Sequence, residues 1–198
     1  PEDEAIRIIE SLDVDRAAHV IEEMEPDDAA DLLGELEGRR RGELLAAMEP
    51  REAEPLRRLL RYANNTAGGL MTPEPVLLPP DATVAEALAL LRDPDLTPAL
   101  AGQVFVVQPP VATPTGRFMG VCHIQRLLRE PPSAVVGDHT DVDPEPVAPD
   151  LDEVAVAARL AAYNLLAVPV CDGDGHLLGA VTVDDVLDRV LPEGWRNR

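Results

Sequence analysis

The chain has 198 residues, of which 45% are apolar and only 3% are aromatic, so it can bury a core made mainly of Leu, Val, Ala and Ile. Acidic residues outnumber basic ones by 37 to 17, and a formal net charge of −20 argues against nucleic acids and anionic membrane surfaces, which bind basic faces. The same charge favours cations or basic partners.

The first third of the chain is a repeat with a period of twelve residues. Pro26 and Pro50 suit the first turn of a helix, where no hydrogen bond is lost, and Asp27 and Asp28 suit the positive end of the helix dipole. Each unit is therefore predicted to form one short helix, and neighbouring helices to pack as a solenoid-like stack. A plain helical bundle is the alternative. The repeated apolar positions are Leu12, Met24, Leu36, Met48 and Leu60.

The remainder of the chain is a duplicated β/α module. The segment Pro73-Glu-Pro-Val76 recurs as Pro144-Glu-Pro-Val147. In each copy it is followed by a helical pattern, a strand, a turn, a second strand and a final helix. The strands after the first helices are predicted at 104–107 and 167–170, because both runs are short and apolar. Strand–helix–strand–strand–helix therefore occurs twice in about 120 residues.

This order of elements resembles the CBS domain, and two segments make the likeness specific. Tyr163–Val170 resembles the strand entry of CBS domains, and Gly179–Asp185 resembles their Gly-apolar-apolar-Thr-x-x-Asp exit. The segment that joins the repeat to the first module, Thr66-Ala-Gly-Gly-Leu-Met-Thr-Pro-Glu74, resembles the junction in MgtE-family magnesium channels. The chain is thus similar to the cytosolic region of that family, which implies an α plus α/β fold: a helical repeat (superhelical) domain followed by a tandem CBS (Bateman) module of two βαββα units.

On this resemblance we place the helical domain at residues 1–62, a linker at 63–72, the first CBS domain at 73–130, the second at 131–191 and a tail at 192–198. A CBS pair usually associates with a second one, so the resemblance implies a homodimer. A membrane pore domain is a partner only if the parent chain continues into one.

The resemblance also implies Mg²⁺ as the ligand. In the family, ions bind between the helical domain and the CBS pair and around the second CBS domain, and the compact state that they hold shuts the pore. Mg²⁺ prefers oxygen ligands and keeps several waters, so one or two carboxylates suffice for each site. The matching carboxylates are Asp150, Asp152, Asp184, Asp185 and Asp188.

These acids also suit other roles. Asp185 also suits a helix cap, and an acidic surface is commonly just solvated. Val154 and Ala155 stand where the family often has acids, and Asn64 and Asn65 replace acids before the junction. Fewer ligands would mean fewer or weaker magnesium sites.

An adenine nucleotide, AMP or ATP, is the second ligand that the resemblance implies. Thr182 and Asp185 match the exit residues that bond to the ribose and phosphate in nucleotide-binding CBS pairs. His123 and Arg126 hold those positions in the first copy and depart from the pattern, so at most one of the two sites is expected to be intact. The alternative role for Thr182 is to cap the following helix.

No catalytic machinery is recognisable in the sequence, so we do not expect an enzyme. The chain has no Ser/His/Asp or Cys/His arrangement, no P-loop and no dinucleotide fingerprint. Cys122 and Cys171 lie in apolar runs, which predicts buried thiols and a reducing compartment. No apolar stretch approaches the roughly 18 residues of a membrane span and no signal peptide is present. A cytoplasmic location is expected, or the cytoplasmic face of the membrane if the chain is part of a channel.

Two functions follow from these observations. One is a Mg²⁺-sensing gating module that closes when Mg²⁺ bridges acidic residues. The other is a stand-alone CBS regulatory protein without a pore. Pro192 and Gly194 favour this second function, because they predict that the last helix ends there. The channels of the family instead continue into a long acidic helix. The chain begins at Pro1 rather than Met, so a longer parent protein is expected.

Overall fold

The structure, a computed structural model, describes residues 2–143 and 145–191. Its N-terminal part consists of short helices whose first residues are spaced by twelve, so the prediction of one helix for each repeat unit is confirmed. Pro26 and Pro50 occupy the first turns of their helices, as predicted. The helices are α1 (Glu2–Ser11), α2 (Val14–Glu22), α3 (Pro26–Glu35), α4 (Gly38–Ala47) and α5 (Pro50–Leu59).

The repeated pair of an apolar and an acidic residue forms the links between these helices. Leu36 and Met48 are buried in the links, while Glu37 and Glu49 occupy the N-cap positions that follow. Neighbouring helices contact one another, but the more extensive contacts join alternate helices: α1 with α3, α2 with α4, and α3 with α5. The apolar residues of alternate units therefore meet in one core, which includes Ile21, Leu33, Leu44 and Leu59.

The first of the two modules has the predicted order of elements, and the second has all of them except a full first strand. In the first, β1 pairs in parallel with β2, and β2 pairs antiparallel with β3. In the second, β4 pairs antiparallel with β5, and the predicted first strand is reduced to one parallel bridge between Val147 and Val170. The elements are α6 (Ala67–Leu70), β1 (Leu77–Leu78), α7 (Val84–Leu90), β2 (Gln103–Gln108), β3 (Arg117–His123), α8 (Ile124–Leu127), α9 (Glu153–Tyr163), β4 (Ala167–Cys171), β5 (Leu177–Thr182) and α10 (Val183–Val190), with 3₁₀-helices at Leu100–Gly102 and Val136–His139.

The two modules share an apolar interface. Phe105 and Val121 of the first module pack in one cluster with Ala167 and Leu177 of the second. Gln103 is fully buried beside this interface and donates from Nε2 to the carbonyl of Ala167, at 3.3 Å. The two modules are therefore held together mainly by apolar burial.

Both cysteines lie in this part of the chain as free thiols, which confirms the prediction that they are buried in strands. Burial raises the pKa of the Cys122 thiol to about 11 and that of Cys171 to about 12. Since only a thiolate is a good nucleophile or metal ligand, these two side chains act as apolar packing.

The predicted linker contains the short helix α6, whose residues are all buried. Backbone hydrogen bonds from Ala67 to Leu151 and from Gly68 to Pro149 attach it to the second CBS module. Its glycines permit a close approach, because a Cβ atom on Gly69 would lie 2.4 Å from the carbonyl oxygen of Ala63. The junction is thus attached directly to the second module and brings the end of the helical domain close to it.

None of the helices in residues 2–143 and 145–191 is long and apolar enough to cross a lipid bilayer. Three features singled out in the sequence, Pro144 of the duplicated segment and the tail residues Pro192 and Gly194, lie outside the described residues.

Candidate functional site: an acidic cleft between the helical domain and the second CBS module

A cleft of about 300 Å³ lies where α3 of the helical domain meets α10 of the second module. Carboxylates line both of its walls. Among the described lining residues, Arg189 alone is basic. The acidic residues are Glu25, Asp27, Asp28 and Asp31 on the α3 side, and Asp184, Asp185 and Asp188 on the α10 side. The three predicted metal ligands of α10 are therefore brought together, and they face four acids that the sequence interpretation did not include.

Asp27 is the most unusual of these acids. It lies in the first turn of α3 with only 7% of its surface exposed, and its Oδ1 has no hydrogen-bond partner. Burial, together with the neighbouring charges of Asp185 and Asp28, raises the pKa of its carboxyl to about 8. A buried carboxylate is costly unless it is compensated, so this side chain requires either a proton or a cation.

Asp185 faces Asp27 from the other side of the cleft. It forms a reciprocal cap with Thr182 at the start of α10: the Thr182 hydroxyl donates to Asp185 Oδ2 at 2.7 Å, and the Asp185 backbone N–H donates to the Thr182 hydroxyl. The predicted capping role is thus confirmed. Burial, against the lowering effect of the Thr182 hydrogen bonds, is the largest cause that raises the pKa of the Asp185 carboxyl to about 6, and the charges of Glu25 and Asp28 of the helical domain contribute to that value.

The other three acids of α3 and the loop before it extend the acidic wall. Asp31 lies one turn after Asp27 and Asp28 and shares their helix face. Its Oδ2 accepts a hydrogen bond from the Arg189 guanidinium of α10, in an ion pair that spans 158 residues of sequence. The cleft is therefore already closed by one contact between opposite charges.

Asp150 and Asp152, the other predicted magnesium ligands, do not line this cleft. Asp152 is the N-cap of α9, where its Oδ1 accepts from the backbone N–H of Val154 at 2.9 Å. Both carboxylates are exposed beside the junction segment, and Thr66 pairs with Asp152 in an isolated β-bridge. The five predicted ligands thus separate into two groups at different places in the fold.

The charge at the start of each repeat unit is the sequence feature that comes nearest to indicating the missed acids. The two positions after the helix-starting residue are Asp27 and Asp28 in the third unit, but Arg39 and Arg40 in the fourth, and Arg51 and Glu52 in the fifth. The first unit also has two acids in these positions, Asp3 and Glu4. A comparison of charge between repeat units therefore does not by itself identify α3 as a binding face.

A second, basic cleft of about 450 Å³ lies between the two CBS modules. His123, Arg126 and Arg129 of the first module line it with Asn164 and Leu166 of the second, and Asp141 is the one acid among the described lining residues. The Arg126 guanidinium is paired with Glu130 at 3.1 Å. The first-copy residues that depart from the nucleotide motif are therefore basic, whereas Thr182 and Asp185, which match it, lie in the acidic cleft.

Comparison with known proteins follows the same division of the chain. Residues 1–65 match the MgtE intracellular N domain, and residues 67–133 and 136–192 match the CBS domain. The crystal structure of the soluble part of a magnesium transporter has a TM-score of 0.83 and 30% sequence identity, over 95% of this chain and 72% of that one. This chain belongs to the MgtE family and corresponds to its cytosolic region. The predicted resemblance is confirmed.

Two further relatives of this MgtE-family chain are informative. The cytosolic domain of the Mg²⁺ channel MgtE, solved in complex with ATP, has a TM-score of 0.77 and 31% identity, over 96% of this chain and 81% of that one. The magnesium transporter MgtE of Thermus thermophilus is 36% identical over 139 residues, which are 70% of this chain and 30% of that protein. The chain therefore spans about 30% of the length of the curated relatives that it matches.

A third group of possible ligands in this MgtE-family chain lies on the turn between β4 and β5. Ligand atoms of Asp172, Asp174 and His176 lie within 4.8 Å of one another. Asp172 Oδ1 accepts from the backbone N–H groups of Asp174 and His176, and its Oδ2 lies 3.1 Å from His176 Nδ1. These bonds are those of a tight hairpin turn, the structure predicted for this segment, and they account for the cluster without an ion.

Proposed function

We propose that this chain is a Mg²⁺-sensing regulatory module without catalytic activity, in which Mg²⁺ bound in the acidic cleft closes the helical domain on the CBS pair. The observation that carries the proposal is the buried Asp27 carboxyl, which lines the cleft opposite Asp185 and has an unpartnered oxygen. A divalent cation between these two side chains would satisfy both.

The charges on the two walls make the cleft sensitive to cations. Asp185 interacts electrostatically with Asp27, Glu25 and Asp28 across the domain boundary. Like charges that face one another oppose closure, and a cation between them removes that opposition. An ion that binds both walls together binds the closed state more tightly than the open one, and this difference in affinity is what shifts a two-state equilibrium.

The ligand chemistry favours Mg²⁺. All seven acidic side chains in the lining offer carboxylate oxygens, the ligands that a hard cation prefers, and a cleft of about 300 Å³ has room for an ion that retains several of its waters. Two of the relatives described above are a magnesium transporter and a Mg²⁺ channel. In a parent protein that continues into a pore, closure of this module would regulate that pore; a parent without a pore would use the same closure to regulate a partner.

Small-angle scattering of the chain during a Mg²⁺ titration tests this proposal. The radius of gyration is expected to fall over the millimolar range with MgCl₂ and to stay unchanged with NaCl of matched ionic strength. The double variant Asp184→Asn/Asp188→Asn is expected to lose most of this response. The matched variant Asp150→Asn/Asp152→Asn, which removes the same charge outside the cleft, is expected to keep it. An equal response to matched NaCl would exclude a magnesium sensor.

A second candidate ligand is an adenine nucleotide in the basic cleft between the CBS modules. Three basic side chains, His123, Arg126 and Arg129, line it against one acid, Asp141, in a chain of net charge −20, and a related cytosolic domain was solved with ATP. The nucleotide phosphates would be attracted to this cleft and repelled by the acidic cleft that contains Thr182 and Asp185.

Calorimetric titration with ATP distinguishes these two locations. Arg126→Gln is expected to weaken ATP binding by about tenfold, the loss expected for one charge-assisted contact to a phosphate, while Thr182→Val leaves the affinity unchanged. Arg39→Gln, which removes an equal charge from the surface of α4, serves as the control. The reverse pattern, with Thr182→Val impaired and Arg126→Gln intact, would place the nucleotide at the motif residues of the second module.

The expected homodimer remains a prediction. Its proposed basis is the apolar surface that the CBS pair leaves exposed, which includes Leu90, Leu128 and Tyr163.

A further inference from the structure

We propose that Arg189 is a resident cation of the acidic cleft, whose guanidinium bridges the helical domain and the second CBS module. It permanently neutralises part of the carboxylate charge that Mg²⁺ would otherwise have to neutralise. The inference rests on the proposed function in one respect only, namely that the acidic cleft is the place where the two domains close.

The contact itself joins the two walls. Arg189 lies in the last turn of α10, and its guanidinium donates to Oδ2 of Asp31 on α3 at 2.5 Å. The two side chains are 28% and 27% exposed, so the pair is much less hydrated than ion pairs on open surface. Arg39 and Glu43, by contrast, lie four residues apart on α4 with the Arg39 side chain 90% exposed. The Arg189 pair is therefore placed to affect domain closure, whereas the Arg39 pair supports only its own helix.

The position of Arg189 on α10 places its charge among the acids. It follows Asp185 by four residues, so the two share a helix face in the favourable order, with the acid nearer the N-terminus. Its side chain lines the main cleft and also an adjoining cavity of about 150 Å³, which Asp28 and Asp31 line as well. One fixed positive charge is thus surrounded by the carboxylates that a divalent ion would bridge.

A guanidinium differs from Mg²⁺ in two ways that define its role. It keeps its charge at every pH at which proteins fold, and it is present at any Mg²⁺ concentration. Because the guanidinium attracts Asp31, a fraction of the molecules is expected to be closed in the absence of metal. The Arg189 side chain also occupies part of the cleft, and it neutralises one of the carboxylate charges that Mg²⁺ would otherwise bind. Fewer Mg²⁺ ions are therefore taken up when the two domains close.

Scattering in EDTA at low ionic strength tests the bridge without any metal. Arg189→Gln is expected to lower the ratio of closed to open molecules by about fivefold, the upper end of what an ion pair near the surface contributes. The charge-exchanged double variant Asp31→Arg/Arg189→Asp restores the pair and is expected to recover most of that ratio. Arg39→Gln, which removes the same charge from α4, is expected to behave as the wild type.

A Mg²⁺ titration of the same proteins tests the second consequence. Arg189→Gln is expected to bind more Mg²⁺ per chain at saturation, measured by equilibrium dialysis, and to close more steeply with Mg²⁺ concentration than the wild type. An Arg189→Gln protein that matches Arg39→Gln in EDTA would overturn the proposal, as would a double variant that stays as open as Arg189→Gln. If the wild type fails to compact with Mg²⁺, the sensor function fails, but the comparison in EDTA still decides the role of Arg189.

Discussion

Replacing Asp27 by Asn is expected to remove most of the Mg²⁺ response of this chain while leaving its helical domain folded. With a pKa of about 8, the buried carboxyl is mainly protonated at pH 7 in the metal-free closed state, and Asn has nearly the same shape as that neutral form. The fold therefore tolerates the change, but Mg²⁺ loses a carboxylate oxygen. The Mg²⁺ concentration for half-maximal compaction is expected to rise by about tenfold or more, as when a group that supports metal binding is lost.

The same variant is expected to close more readily without metal. The amide that Asp27→Asn introduces is neutral, so closing requires neither the burial of a negative charge nor the uptake of a proton. Scattering in EDTA at pH 8.5 would show Asp27→Asn more compact than the wild type. Asp15→Asn is the matched control, since Asp15 holds the equivalent position one repeat earlier, in the first turn of α2, and is exposed. A Mg²⁺ response that survives in Asp27→Asn and is lost in Asp15→Asn would contradict this assignment of the site.

The fold could be predicted in detail because its signals are local. The period of twelve residues sets one helix per unit, and Pro26 and Pro50 identify the first turns of two of them. The duplicated module is visible because both copies alternate short apolar runs with helical patterns. The packing of alternate helices was not predicted, since it depends on how each link directs the chain and not on the pattern within a unit.

The candidate site was predicted only on one wall. Asp184, Asp185 and Asp188 were found from a motif of the second module, but Asp27 and Asp31 belong to a helix more than 150 residues away in sequence, as the 158-residue separation of Asp31 and Arg189 shows. No local pattern indicates that α3 docks on α10. Asp152 shows a different limit: the family resemblance predicts it as a ligand, and the structure shows it at a helix N-cap outside the acidic cleft, so its ligand role stays a prediction.

The metal-free closed state is expected to lose stability as the pH rises from about 4 to about 8. Burial raises the pKa of Asp27 from 3.8 to about 8 and that of Asp185 from 3.8 to about 6. Below 3.8 both groups are protonated in the closed and open forms alike, so they do not favour either. At a pH between 3.8 and the raised pKa of a carboxyl, that carboxyl is protonated in the closed form and ionised in the open form. Each such group therefore destabilises the closed form by up to about 1.4 kcal/mol per pH unit as the pH rises.

Mg²⁺ reverses this dependence, because it binds the ionised carboxylates and displaces the protons. Its apparent affinity is therefore expected to increase between pH 6 and 8, the interval in which Asp27 ionises in the closed cleft. Scattering and thermal unfolding at pH 5.5 and 8.5, each in EDTA and in saturating Mg²⁺, measure both effects. The wild type is expected to be more open at pH 8.5 in EDTA and equally compact at both pH values in Mg²⁺.

Asp27→Asn separates the two carboxyl groups in this experiment. Without Asp27 the metal-free pH dependence should end near pH 6, where Asp185 ionises in the closed form, and the change between pH 6.5 and 8.5 should disappear. Asp15→Asn should retain the full dependence, because that carboxyl is exposed. A metal-free wild type whose closure strengthens with rising pH would mean that these acids are paired with positive charge in the closed form, and the cleft would then have no need of Mg²⁺ to remain closed.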